Sequence, residues 1–231
     1  AQQRAVTKED YITRVYALPP KYGNIAKSYI VQDTQLDSDS GANSNNRTIN
    51  PLALNLYVLG FDANKKLVSV NQAVKENIQT YLTQFRMVTD AVNIKDAFVI
   101  NIGVKFNLLT KTGYNKDEVV LRAIQKVKEF FDIDKWQIGQ PIVISDLAYQ
   151  ISLTDGVSAV VPPEENNADG LPVVIENKFL ESAGYSGNLY DIRGATKNGV
   201  IYPSLDPSIF ELKFPSIDVE GRVIGDSAGG N

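Results

Sequence analysis

Between Phe98 and Leu108 apolar side chains take every second position: Phe98, Ile100, Ile102, Val104, Phe106 and Leu108 share one face, and Asn101, Gly103, Lys105 and Asn107 are on the other. Successive side chains of an extended strand point to opposite sides of its sheet, so this stretch predicts a strand with one face in a core. Its second face is expected to be wet or turned to a partner. A chain that carries such a segment must build a sheet and cover one side of it.

Helical spacing elsewhere supplies the cover. Thr7-Lys8-Glu9-Asp10 has the form of a capping box, followed by Tyr11, Val15 and Leu18 on one stripe, and Pro19-Pro20 stops the helix. Ser69 to Phe85 places Val74, Ile78, Tyr81, Leu82 and Phe85 together, with Ser69-Val70-Asn71-Gln72 as a second capping box. Asn115 is a good N-cap with Glu118 three positions on, and Val120, Ile124, Val127 and Phe131 form the next stripe, widened by Ala123 and Phe130. Ser145 is placed to cap a helix through Leu147 and Ile151.

Further strands are expected at Ala26 to Gln32, at Leu52 to Leu59 with Leu52, Leu54, Leu56 and Val58 facing the core, at Val88 to Ile94, at Ile142 to Ile144 and from Val157 to Pro162-Pro163. Asp33 to Asn50 is polar, rich in Asp, Ser and Asn, and reads as a loop. The order from Ala26 to Val161 resembles two strand-strand-helix units. The predicted class is α+β, with helices packed on a mixed or antiparallel sheet, plus a β-rich C-terminal segment that mediates assembly.

Glu164 to Gly170 is turn-rich, which sets the expected division at 1–163 and 164–231. Beyond it, Val173 to Ile175 predicts a strand and Lys197-Asn198-Gly199 a tight turn. Phe210, Leu212 and Phe214 alternate between Pro207 and Pro215, a pattern confined to an edge or peripheral strand that can accept another chain. Asp226 to Asn231 is expected to be disordered.

The 231 residues include no Cys and no His. Thiolate nucleophiles, Cys-ligated metals, Ser-His-Asp triads and imidazole proton shuttles are therefore excluded, leaving carboxylate, Lys, Tyr or Arg chemistry. A net charge of −4 gives no long-range field to draw in nucleic acid or anionic lipid, and no apolar run reaches the length of a membrane helix. The chain opens Ala1-Gln2-Gln3 rather than with Met, so it is read as a fragment or a processed chain.

Asp37-Ser38-Asp39-Ser40-Gly41 begins like a calcium loop, but its sixth position is Ala42 and its twelfth is Thr48, so no metal is assigned. Asn46-Arg47-Thr48 matches a glycosylation sequon without a secretory context. The pairs Glu164-Glu165 and Asp132/Asp134 raise a carboxylate-based glycan hydrolase as an alternative, which would require two acids held across a cleft. Ala183 to Gly199 lacks any phosphate-cradle pattern, so no cofactor is assigned. Tyr185, Tyr190 and Tyr202, with Phe210, Leu212 and Phe214, are candidates for a protein interface, packing on their own domain being the other reading. A receptor- or ligand-binding module built on these tyrosine-bearing loops is a further alternative.

The residues also carry a family likeness. Ala5-Val6-Thr7 with Asp10-Tyr11, a proline-ended helix and Ala26 to Val31 resemble the opening of the J-like baseplate proteins of contractile-tailed bacteriophages. Tyr81-Leu82, Ala97 to Phe106, Phe130-Phe131 and Ile142 to Val157, with Ser145 and Gly156-Val157, follow in matching order. Ile201-Tyr202-Pro203-Ser204 and Phe210-Glu211-Leu212-Lys213-Phe214-Pro215 resemble the C-terminal region of the baseplate wedge protein of T4-type phages. Pro19-Pro20-Lys21-Tyr22-Gly23 departs from the compact Pro-Gly turn of simpler members.

The resemblance implies a structural, non-enzymatic subunit of the virion tail, assembled in the host cytoplasm. Its implied partners are its own copies, as a dimer within a ring, and other wedge and hub proteins, with rearrangement when the sheath contracts. No catalytic residue, metal or cofactor comes with it.

Overall fold

The computed structural model describes Ala5 and residues 7–32, 53–85 and 91–226. Among these the chain forms five α-helices and twelve strands in mixed and antiparallel sheets, the α+β class expected from the periodicities. It divides into two compact units, Ala1–Val99 with Ser204–Ser208, and Ile100–Pro203 with Ile209–Asn231. The polar stretch Asp33 to Asn50 with its metal-like pattern and sequon, together with Leu52, residues 86–90 and residues 227–231, lies outside the described residues.

In the first unit, α1 (Lys8–Tyr16) starts at the predicted capping box: Asp10 N donates to Thr7 Oγ1 at 3.2 Å and Thr7 N donates to Asp10 Oδ2 at 2.8 Å. The chain then enters a 3-10 turn at Pro20–Tyr22 and bends at Gly23, whose φ of 125° favours glycine. A Cβ there would also come within 2.7 Å of Val74 Cγ1.

Three strands make the body of the sheet in this unit. β1 (Lys27–Gln32) runs antiparallel to β2 (Ala53–Phe61), β4 (Ala91–Asp96) runs parallel to β2, and the short β3 (Leu67–Val68) pairs with the far end of β2. A parallel pair needs a crossover, which α2 (Gln72–Thr83) provides between β2 and β4. Leu56 and Val58 pack with Tyr11, Val15, Ile78 and Leu82 in one core.

The opposite face of β2 is buried as well, with Asn55, Tyr57 and Leu59 out of water, because β2 is the central strand. One expectation needs correction here. The cap of α2 is Asn71 rather than Ser69, with Val74 N donating to Asn71 Oδ1 at 2.9 Å, so the helix begins later than the sequence pattern suggests.

The second unit is organised on β5 (Phe98–Thr110), the long alternating strand. β7 (Val157–Val161) and β8 (Val174–Asn177) pair with it antiparallel, at Asn107–Thr110 and Ile102–Lys105 respectively. β12 (Val219–Asp226) runs parallel to it from Val219↔Val104 to Asp226↔Thr110, and β11 (Ser208–Glu211) completes the five strands. Asp226, expected to be disordered, thus ends a strand. The two strands before α3 belong to different sheets, β4 pairing with β2 and β5 centring this one.

α3 (Lys116–Phe130) is capped by Asn115, whose Oδ1 accepts from Asp117 N at 3.0 Å and Glu118 N at 3.2 Å. Its buried line is Val119, Ala123 and Val127; Ala123 and Val127 belong to the predicted stripe, whereas Val119 lies outside it and Val120 and Ile124 are only partly buried. Gly221 of β12 lies beneath this helix; a Cβ there would stand 2.7 Å from Phe106 Cζ and 3.3 Å from Val120 Cγ1. α4 (Ile144–Ser152) follows β6 (Ile142–Val143) directly, with Val143 at the cap and no side-chain cap bond. Ser145 therefore sits inside the first turn and does not cap it.

β6 pairs with β10 (Val200–Ile201), which turns back on β9 (Thr196–Lys197). The predicted tight turn is present, Asn198 and Gly199 having φ of 52° and 74°. The last helix is the short α5 (Pro215–Asp218), leading into β12. The connector Glu164 to Gly170 lies within this unit.

Candidate protein interface

The face of β5 opposite α3 carries Lys105, and strand pairing brings two glutamates to it. Lys105 Nζ is 2.9 Å from Glu176 Oε1 on β8 and 4.0 Å from Glu220 Oε1 on β12. Lys178 Nζ is 3.6 Å from Glu176 Oε2, and Arg222 Nη2 is 3.8 Å from Glu220 Oε2. Charges thus alternate across the sheet in the order Lys178, Glu176, Lys105, Glu220, Arg222. Exposure rises toward the β12 edge, from 23% for the Lys105 side chain to 41% for Glu220 and 71% for Arg222.

Burial pushes the Glu176 carboxyl up, but the hydrogen bond from Lys105, the attraction of Lys105 and Lys178 and a hydrogen bond from Asn166 together hold it below the usual carboxylate range. Lys105 is held above its usual range, first by its bond to Glu176, against the opposing effect of burial. Beside this row lies a groove of about 450 Å³, lined by Asn107, Pro162, Glu165, Arg222 and Ile224 among others.

The other half of the same face is not wet, contrary to expectation. Asn101 is fully buried; its Nδ2 donates to Glu211 Oε1 at 2.9 Å, its Oδ1 accepts from Ser186 N at 2.8 Å, and its carbonyl accepts from Lys178 N at 2.8 Å. Asn177 Nδ2 donates to the same carbonyl at 3.1 Å while its Oδ1 accepts from Tyr190 N at 2.8 Å. Two asparagines therefore hold the segment 178–203 over the strand, satisfying backbone groups that the irregular segment leaves unpaired.

The structure sorts the sequence-predicted interface residues into two aromatic pairs. Tyr185 meets Phe214 edge-on with centroids 5.4 Å apart, and its hydroxyl donates to Asp218 Oδ1 at 2.5 Å. Burial, then that bond and the Asp218 charge, push the Tyr185 hydroxyl up to about 12. Tyr190 meets Phe210 at 6.1 Å and its hydroxyl donates to the Tyr202 carbonyl at 2.5 Å. Phe210 and Leu212 are buried within the single chain, whereas the Tyr202 ring is half exposed. Exposed apolar side chains nearby in the chain are Phe179, Leu180 and Ile217.

The acid pairs raised by the sequence are separate features. Asp132 Oδ1 accepts from Asp134 N at 3.1 Å and Asp132 Oδ2 lies 3.8 Å from Lys135, a local turn. Glu164 and Glu165 are exposed and border the groove beside Lys105. Among the described residues no cluster of three or more acidic side chains is arranged to hold a metal ion, and no helix is long and apolar enough to cross a membrane.

Sequence reasoning placed Lys105, with Asn101, Gly103 and Asn107, on the second face of its strand but named none of Lys105, Glu176, Glu220 and Arg222 as site residues. The stretch from Val219 gave no strand signal because Gly221 and Gly225 interrupt the alternation. The detectable trace was the exposed pair Glu220 and Arg222, two residues apart and opposite in sign.

No family model matches the chain, and no curated protein matches it. Among solved structures, it aligns with a chain of the anti-feeding prophage (AFP) baseplate, determined by cryo-EM and 6-fold symmetrised, with a TM-score of 0.55 and 11% identity over 91% of its length. The two share a fold. The match spans 38% of the baseplate chain, so the present chain corresponds to well under half of that longer polypeptide.

Proposed function

We propose that this chain is a structural, non-enzymatic component of a contractile-tail baseplate of the wedge type. It works through its surfaces, in contact with other wedge and hub proteins and with its own copies in a ring, inside a virion tail put together in the host cytoplasm. It takes part in the rearrangement that follows sheath contraction. The observation that carries this reading is the fold likeness to a baseplate chain over 91% of the present sequence.

The composition supports it from a separate direction. Without His or Cys the chain lacks the side chains that most often transfer protons or form covalent intermediates at neutral pH, and a scaffold needs neither. The alternating charges on the outer sheet face supply what a scaffold does need, a patterned surface that selects its neighbour.

The test is to tag the chain in a contractile-tailed particle and image it. Added density at the tail base, in both extended and contracted particles, is the expected result. Density elsewhere on the particle, or substrate turnover by the purified chain that vanishes on replacing one side chain, would overturn the reading.

A further inference from the structure

β12 lies at the rim of its sheet: among the described residues it pairs with β5 alone. Val219, Gly221 and Val223 belong to the face beneath α3, and Glu220, Arg222 and Ile224 to the outer face beside Lys105. The ladder to β5 is regular from Val219 to Val223 and shifts between Val223 and Gly225. A five-residue straight segment therefore ends in a bulge, and an exposed edge of this kind is a template for another strand.

We infer that β12 pairs antiparallel with β12 of a second copy, in the register that sets Gly221 opposite itself, joining two five-stranded sheets into one. The inference rests on the self-association in the reading above and names the surface for it. A two-fold axis perpendicular to the sheet relates the strands, so the outer faces of both sheets point the same way. In this register Glu220 stands opposite Arg222 of the second copy, and Arg222 opposite its Glu220. Val219 and Val223 face each other on the side of α3.

Neighbouring registers fail on charge. Centring on Glu220 sets two carboxylates face to face, and centring on Arg222 does the same with two guanidinium groups, both destabilising arrangements for directly opposed side chains. Centring on Val223 runs the ladder into the bulge and leaves both charges without an opposite partner. A slip of one residue would require one sheet to turn over and put the α3 helices on opposite sides.

The experiment is light scattering and sedimentation on the 231-residue chain. Wild type is expected as a dimer. Glu220→Arg places Arg opposite Arg twice, and Arg222→Glu places Glu opposite Glu twice, so each alone weakens self-association by about tenfold or more. The double variant E220R/R222E restores the dimer, and an equimolar mixture of the two single variants forms a mixed dimer.

A dimer untouched by any of these changes would refute the β12 pairing and leave self-association through another surface standing. A wild-type monomer at its solubility limit would remove self-association itself. Far-UV circular dichroism checks that each variant folds. A second readout uses the cysteine-free background: directly opposed Cα atoms in an antiparallel ladder lie roughly 4.5–5.5 Å apart, within disulfide range. Oxidising a mixture of Glu220→Cys and Arg222→Cys chains gives a mixed disulfide if the register is right, and a dimer that yields none contradicts it.

Discussion

Asn101 Nδ2 donates to Glu211 Oε1 across 2.9 Å with both side chains out of water, binding the central strand of the second unit to residues whose sequence positions are 110 apart. The same asparagine accepts from Ser186 N, so a single side chain ties together β5, β11 and the segment that crosses them. A buried carboxylate and a partly buried N–H both bond to it.

Asn101→Ala leaves a lone-pair site on Glu211 and the Ser186 N–H without this partner. The expected loss is about 2–4 kcal/mol, since stripping a partner from buried polar groups costs more than the bond itself contributes. Urea unfolding followed by tryptophan fluorescence, through Trp136, measures it. A change under roughly 0.5 kcal/mol would show that the network is not holding the segment.

At Gly156 the backbone has φ of 90°, and a Cβ would stand 2.6 Å from both Tyr114 Cδ1 and Val119 Cγ2. Gly156→Ala therefore combines left-handed backbone strain with a clash against the first turn of α3. A stability loss of about 2 kcal/mol or more is expected, read as a lowered thermal midpoint. Gly113→Ala is the comparison, at φ of 88° with nothing within 4 Å of the added carbon, and isolates the backbone part.

The cap of α2 separates sequence expectation from structure. Asn71→Ala should cost about 1 kcal/mol, because Val74 N loses its acceptor, while Ser69→Ala should be close to neutral. Equal losses from the two would restore Ser69 as the cap.

These elements show what was legible. Thr7, Asn115 and the Lys197-Asn198-Gly199 turn were found because capping and tight turns depend on a few neighbouring residues. The α3 stripe was found through Ala123, Val127 and Phe131 but missed Val119, since periodicity gives a face but not the residue nearest the sheet. The burial of Asn101 was invisible because what covers it comes from the distant residues 178–203. Tyr185 and Tyr190 were noticed for their chemistry, yet their pairing with Phe214 and Phe210 depends on tertiary contact alone. The charge row needed three strands in register, which no local pattern encodes.

Alkaline pH should expose Tyr185. Its hydroxyl ionises near 10 when the chain is unfolded and only at about 12 in the fold, so the native state holds a proton that the unfolded state has lost. The stability this contributes is complete below pH ~10 and declines as pH rises toward 12. Tyr185→Phe should flatten that part of the stability curve, measured by urea midpoints at steps of pH. A slope identical to wild type would contradict the assignment.

Glu176 acts at the other end of the scale. Its carboxyl is held below the ordinary range, so its contribution is present above the unfolded value near 4.3 and lost as pH falls through the folded one. Glu176→Gln should remove part of the acid sensitivity between neutral pH and pH ~3 and weaken the grip on Lys105. High salt should narrow the difference between the two proteins, because the row is partly exposed.

The parallel partnership of β12 with β5 makes the sheet of the second unit depend on residues far apart in sequence. Val104 pairs with Val219, so the part of β5 that β12 covers keeps one side unclaimed until that distant stretch has been made. A chain that stops short of Val219 would lack the strand that closes this side of β5, and an unpaired strand edge is a template for another extended segment.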